Sequence, residues 1–190
     1  MAERRTQIME AAVRVIAQDG VRGLRVEKLA AEAGVSTALI YYHFQDRAGV
    51  LRSALDHIND RAQRYSDEAF ESSDPRTQLE QMLLLEIQGT PEVRENSIAW
   101  GELRASAVFS DDLREPLRTT TEAWANDAAT LIRHAQAAGQ ANPTVDPADA
   151  GERFTALVEG LSERWLSGSM TLERARELLA GAVAVELGPV

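Results

Sequence analysis

The 190-residue chain contains no cysteine. That excludes disulfides, a thiol nucleophile and cysteine-ligated zinc, and it suits a cytoplasmic protein. Histidine is scarce too: His43, His57 and His134 lie far apart and outside metal-ligand spacings, so no metal site is expected. No P-loop, GxGxxG or GxSxG motif is present, so neither an enzyme nor a cofactor is expected. No apolar run reaches the length of a membrane span. The first residues, "MAERRTQIMEAA", lack the apolar stretch of a secretory signal. Period-2 alternation and hairpin dipeptides are nearly absent, which argues against sheet.

Apolar residues make up 44% of the chain, enough for a core. The net charge of −10 argues against a generic nucleic-acid binder, but its distribution is uneven. Residues 1–55 hold eight basic and six acidic side chains; the rest hold twelve basic against twenty-four acidic. Two parts with different partners are expected.

Helical periodicity runs almost throughout. Ile8, Ala12, Val15 and Ile16 form one stripe, with Gly20 as a stop. Short helices are expected over 26–33 and 37–43, with "AGVS" as the turn between them and Ser36 as an N-cap. A linking helix follows from about 47 to 71, and "SSDP" then breaks the chain and starts the next helix at Pro75. Longer helices carry the stripes Leu79, Met82, Leu83, Ile87 and Ile98, Trp100, Leu103, Ala107. After "SDDLREP", read as a loop or kinked start, a long helix runs to about Ala138. "AGQANPTVDP" is a loop, and two helices close the chain. The fold class is all-α: a three-helix unit at 1–47, the linking helix, and a larger bundle at 72–190.

The pair of short helices around a glycine turn has the form of a helix-turn-helix. Gly34 suits positive φ, Ala30 a close crossing, and Val35 and Ile40 the corner between the helices. On the second helix Thr37, Tyr41, Ala38 and Tyr42 fall within an arc of about 140°. Small residues there would admit a base edge, while the tyrosine hydroxyls, His43 and Arg47 could hold phosphates. Each of these side chains could also be ordinary packing or surface.

The run "GVRGLRVEKLAAEAGVSTALIYYHFQDRAGVLRSAL" at 20–55 resembles the DNA-binding domain of the tetracycline-repressor (TetR) family. The likeness covers about residues 5–55 and is carried by the order, the spacing and the Tyr-Tyr-His-Phe run. It implies a homodimeric repressor of transcription that binds operator DNA and carries an effector pocket in the C-terminal bundle. It implies base-facing roles for Thr37, Ala38 and Leu39 and DNA contacts for Tyr41, Tyr42, His43 and Arg47, and Ser36 at the head of the same helix is counted with the DNA-binding residues. Arg25 and Lys28 fall near the DNA backbone at the start of the second helix. Leu39 stands where Thr is frequent, which favours a thymine-methyl contact. Arg25 stands where a Thr or Ser would cap the helix, a loss of about 1 kcal/mol.

Effector-binding candidates are Met82, Glu86, Trp100, Leu103, Arg104, Trp124 and Phe154, with Phe109 as a further wall and Glu102 as a further polar group. Candidates for the dimer interface are Phe154, Leu157, Val158, Leu161 and Trp165 on one closing helix. Leu172, Ala175, Leu178, Leu179 and Ala182 are their counterparts on the other. Two recognition helices about 34–36 Å apart would read successive major grooves of a pseudo-palindrome. Three alternatives stand: a DNA-binding regulator without an effector, an all-α small-molecule binder or enzyme that leaves DNA alone, and a local activator in place of a repressor.

Overall fold

The computed structural model describes residues 2–66 and 72–188, and among these there are nine helices and no strand. They are α1 (Ala2–Gly23), α2 (Val26–Ala33), α3 (Thr37–Phe44), α4 (Arg47–Ser66) and α5 (Pro75–Leu85). α6 (Pro91–Ala107), α7 (Asp111–Ala137), α8 (Pro147–Leu166) and α9 (Leu172–Leu187) complete the chain. The end assigned to the linking helix, near 71, lies outside the described residues. No described helix is long and apolar enough to cross a membrane.

Local chemistry sets these boundaries. Asp74 and Asp146 each accept backbone N–H groups from the turn they precede, and each is followed by proline at the first helical position. Thr171 accepts from Arg174 N–H and starts α9. α7 begins at Asp111 and keeps Pro116 inside it, so "SDDLREP" is largely helix. α1 runs on past Gly20, whose φ of 71° and ψ of 172° break the helical path.

The chain divides into two compact units. The first comprises Met1–Arg61 with Glu95–Arg118, the second Ala62–Arg94 with Thr119–Val190. The three divisions after Arg61, Arg94 and Arg118 fall inside α4, α6 and α7. The first unit is therefore larger than the sequence suggests. Its core joins Ile8, Ile16, Leu29, Ile40, Phe44 and Leu55 to Ala99, Leu103, Leu113 and Leu117 from α6 and α7.

The second core gathers Leu79, Leu83, Ile87, Ile132, Phe154, Val158, Leu179 and Val183 from α5, α7, α8 and α9. Arg76 is sealed inside this unit, 2% exposed. Its Nε donates to Glu80 at 2.6 Å, and Nη2 donates to the carbonyls of Val183 at 3.4 Å and Gly188 at 3.3 Å. A buried guanidinium thus ties the start of α5 to the last turn of α9 and to the Gly188 carbonyl just beyond it.

Candidate nucleic-acid interface

Gly34 closes α2 in the left-handed region, at φ 64° and ψ 38°. A residue without Cβ takes that conformation at little cost. Ser36 is extended and its side chain accepts the Leu39 N–H at 3.2 Å, so α3 starts where the sequence places it. Ala30, Ile40 and Phe44 are buried and fix α3 against the unit's core. The opposite face is open. Thr37 and Ala38 are exposed, and Leu39 and His43 are half-buried. Tyr41 is 50% and Tyr42 70% exposed, so neither ring is core. The Tyr42 and His43 rings meet edge-on at 5.2 Å.

α3 ends in a strained turn. Gln45 has φ 66° and ψ −55°, and the Asp46 N–H donates back to the Phe44 carbonyl at 2.8 Å. This is a γ-turn of the less favourable hand, sparsely populated for a residue with a side chain. Asp46 then accepts the Gly49 N–H at 2.7 Å and starts α4.

The cations around α3 are not all free to grip a ligand. Arg25 is the N-cap of α2 and its side chain makes no capping bond, as the sequence implies. Lys28 pairs with Asp19 at 2.5 Å. Arg47 donates Nε to the Leu24 carbonyl at 2.9 Å and Nη2 to the Val21 carbonyl. The fork expected on phosphate is thus engaged with the chain's own backbone. Two cations that sequence reasoning missed stand beside α3. Arg5 of α1 lies 5.6 Å from the Phe44 ring centre and donates to Ser53 Oγ at 3.2 Å. Arg52 of α4 lines an open cleft of about 360 Å³ together with His43, Gln45, Ser53, Asp56 and Pro116. Partial burial and the charge of Asp60 push Asp56 above the usual carboxylate range, against the pull of Arg5. The signal in the sequence was only an Arg five residues beyond Arg47.

The effector candidates are not brought together in one unit. Met82, Glu86, Trp124 and Phe154 belong to the second unit, where Glu86 accepts from the Tyr65 hydroxyl at 3.0 Å. Trp100, Leu103 and Arg104 belong to the first. Leu103 is fully buried in that core, and the Arg104 guanidinium lies 5.3 Å from the Trp100 ring centre. Glu102 is also in the first unit, where it accepts the Val21 N–H at 3.0 Å. Phe109, read as a wall residue, is 83% exposed.

Half of the residues expected at a dimer interface lie inside the single chain. Phe154, Val158, Leu161, Ala175 and Leu179 are each at most 3% exposed within the single chain. Their stripes close the second unit's own core, because α8 and α9 pack on each other and on α5. Leu157, Trp165, Leu172, Leu178 and Ala182 are half-buried at its edge. The outward positions are instead Ala156, Gly160, Ala180, Gly181, Ala184 and Val185, the last 87% exposed.

Known proteins share this arrangement. Residues 8–54 match the model for bacterial regulatory proteins of the tetR family, and residues 75–188 match the C-terminal part of BetI-type transcriptional repressors. The transcriptional regulator TtgR of Pseudomonas putida is 30% identical over 174 residues, 86% of this chain and 80% of that protein. The crystal structure of a TetR-family transcriptional regulator from Rhodococcus sp. has a TM-score of 0.93 and 50% identity, covering 99% of this chain and 100% of that one. A transcriptional regulator from Saccharomonospora viridis, solved in complex with choline, has a TM-score of 0.87 and 25% identity, covering 98% of both chains.

Proposed function

The chain belongs to the tetR family of bacterial regulatory proteins, and on that premise we propose that it is a repressor that binds a pseudo-palindromic operator as a dimer and releases it on binding a small molecule. The observation that carries the DNA reading is the open face of α3. Two adjacent tyrosines stay exposed beyond a glycine turn, next to small residues, with Arg5 against Phe44 and Arg52 lining a cleft with His43. Thr37, Ala38 and Leu39 face the bases, with Leu39 against a thymine methyl. The hydroxyls of Tyr41 and Tyr42, with His43, bond phosphate oxygens. The dimer forms through the outward faces of α8 and α9, where small side chains let two copies approach closely.

The effector binds in the second unit, near Met82, Trp124 and Phe154. The choline held by the Saccharomonospora relative supports a small-molecule effector and makes choline the first compound to try. Release is a coupling free energy. An effector that favours dimers with misplaced recognition helices lowers operator affinity, and the operator lowers effector affinity by the same factor. α4, which starts beside α3 and continues past Arg61, is the proposed lever.

Selection of bound duplexes from a random pool at moderate salt tests the reading. An inverted repeat should be enriched, and a metabolite screen beginning with choline should find a compound that releases it. Enrichment of no sequence contradicts DNA recognition; an enriched sequence that no metabolite releases leaves a regulator without an effector.

A further inference from the structure

We infer that Glu102 is a positioning residue for DNA binding: its carboxylate, seated where Gly20 has no Cβ, fixes the break at Gly20 inside α1, just ahead of the turn into α2. The inference rests on the DNA-binding reading above. The break leaves backbone groups that no helix satisfies. Gly20 is at φ 71° and ψ 172°, so Val21 N–H cannot bond one turn back. Glu102 Oε2, from α6, accepts that N–H at 3.0 Å. The fit is close, because a Cβ on Gly20 would stand 2.7 Å from the same oxygen. On the other side of the same peptide segment, Arg47 of α4 donates to the carbonyls of Val21 and Leu24. One acid and one base from two different helices thus hold residues 21–24.

The consequence falls on α2. Its N-cap, Arg25, makes no side-chain capping bond, so the first turn of α2 has no local cap to fix it, although Leu29, Ala30 and Ala33 bury its later turns. α2 packs against α1 and α3 and carries Arg25 and Lys28. Holding the 20–25 segment therefore holds the pair of helices that meets DNA. Val21 and Leu24 are 5% and 2% exposed, so the peptide Glu102 holds is anchored in the core rather than lying loose on the surface. Glu102 touches no DNA in this arrangement. It acts through the backbone of Val21.

The test uses full-length protein, the duplex enriched by the wild type, and a temperature at which circular dichroism shows every variant folded. Glu102→Ala should weaken binding about tenfold, the scale of one lost charge-assisted hydrogen bond. Glu102→Gln, whose amide oxygen can still accept, should stay within about twofold of the wild type. Glu102→Asp keeps the charge but draws it back by one methylene, so it should weaken binding even where the alanine variant does not fold. Hydrogen exchange at the Val21 amide should speed up in the Ala and Asp variants and stay slow in the Gln variant. If the Ala and Gln variants both bind more tightly, Glu102 acts as a repelling charge and the inference is wrong. Lower melting temperatures with unchanged affinity would make it a stabilising cap alone and would also overturn it. A wild type that enriches no duplex fails earlier, at the DNA reading, before any variant is compared.

Discussion

At the scale of single residues, the structure separates side chains left open to solvent from those that hold the fold. Tyr42 is 70% exposed, while Arg47 forks onto the Val21 and Leu24 carbonyls. Tyr42→Phe should therefore leave urea stability within about 0.5 kcal/mol of the wild type and lower only DNA affinity. Arg47→Ala should lower urea stability by about 1–2 kcal/mol, because two carbonyls lose a charged donor. The sequence placed both tyrosines on one arc of α3 but left open whether they pack, and their exposure of 50% and 70% decides it. The partners of Arg47 were not legible in it. They lie more than twenty residues away, at the end of α1 and in the turn that follows it.

At the scale of helices, the legible features were those with local causes. The Asp-Pro starts of α5 and α8, the Ser36 cap and the left-handed Gly34 all follow from neighbouring residues. Long-range satisfaction was hidden. Arg76 reads as an ordinary surface charge on a new helix, yet it is buried against the end of α9. Likewise Arg176 of α9 donates to the Leu84 carbonyl at 2.9 Å and to that of Ile87, closing the end of α5.

The cap of α5 also gives a pH dependence. Hydrogen bonds from the Thr77 side chain and backbone, then from Gln140, hold the Asp74 carboxyl below its ordinary value of 3.8. The folded state binds this proton less readily than the unfolded chain does. The contribution is therefore complete above the ordinary value and is lost as pH falls through the lowered one. Acid denaturation followed by circular dichroism should show Asp74→Asn less stable near neutrality, with a smaller further loss below about pH 4 than the wild type.

At the scale of the whole molecule, charge and periodicity carried different amounts of information. The two units hold twelve basic and thirteen acidic side chains against eight and seventeen, so the asymmetry seen along the sequence survives the regrouping of residues 95–118. The regrouping itself was not legible, because every boundary lies inside a helix. Periodicity marked which residues of α8 and α9 are buried, but it cannot distinguish burial by the same chain from burial by a second copy.

The outward faces of α8 and α9 are the dimer surface proposed above. A Cβ on Gly160 or Gly181 would meet nothing within 4 Å in the same chain. Gly181→Arg should therefore fold with unchanged helix content yet sediment as a monomer, and it should lose operator affinity with the second half-site. The central claim is that α3 reads sequence through Thr37, Ala38 and Leu39 while the tyrosines hold phosphate, and the direct measurement is to repeat duplex selection with Leu39→Ala and Tyr42→Phe. The leucine substitution should change or relax one base position in each half-site. The tyrosine substitution should lower affinity for all duplexes and leave the enriched sequence intact. An enriched sequence that Leu39→Ala leaves unchanged, with Tyr42→Phe binding as the wild type does, would contradict the account.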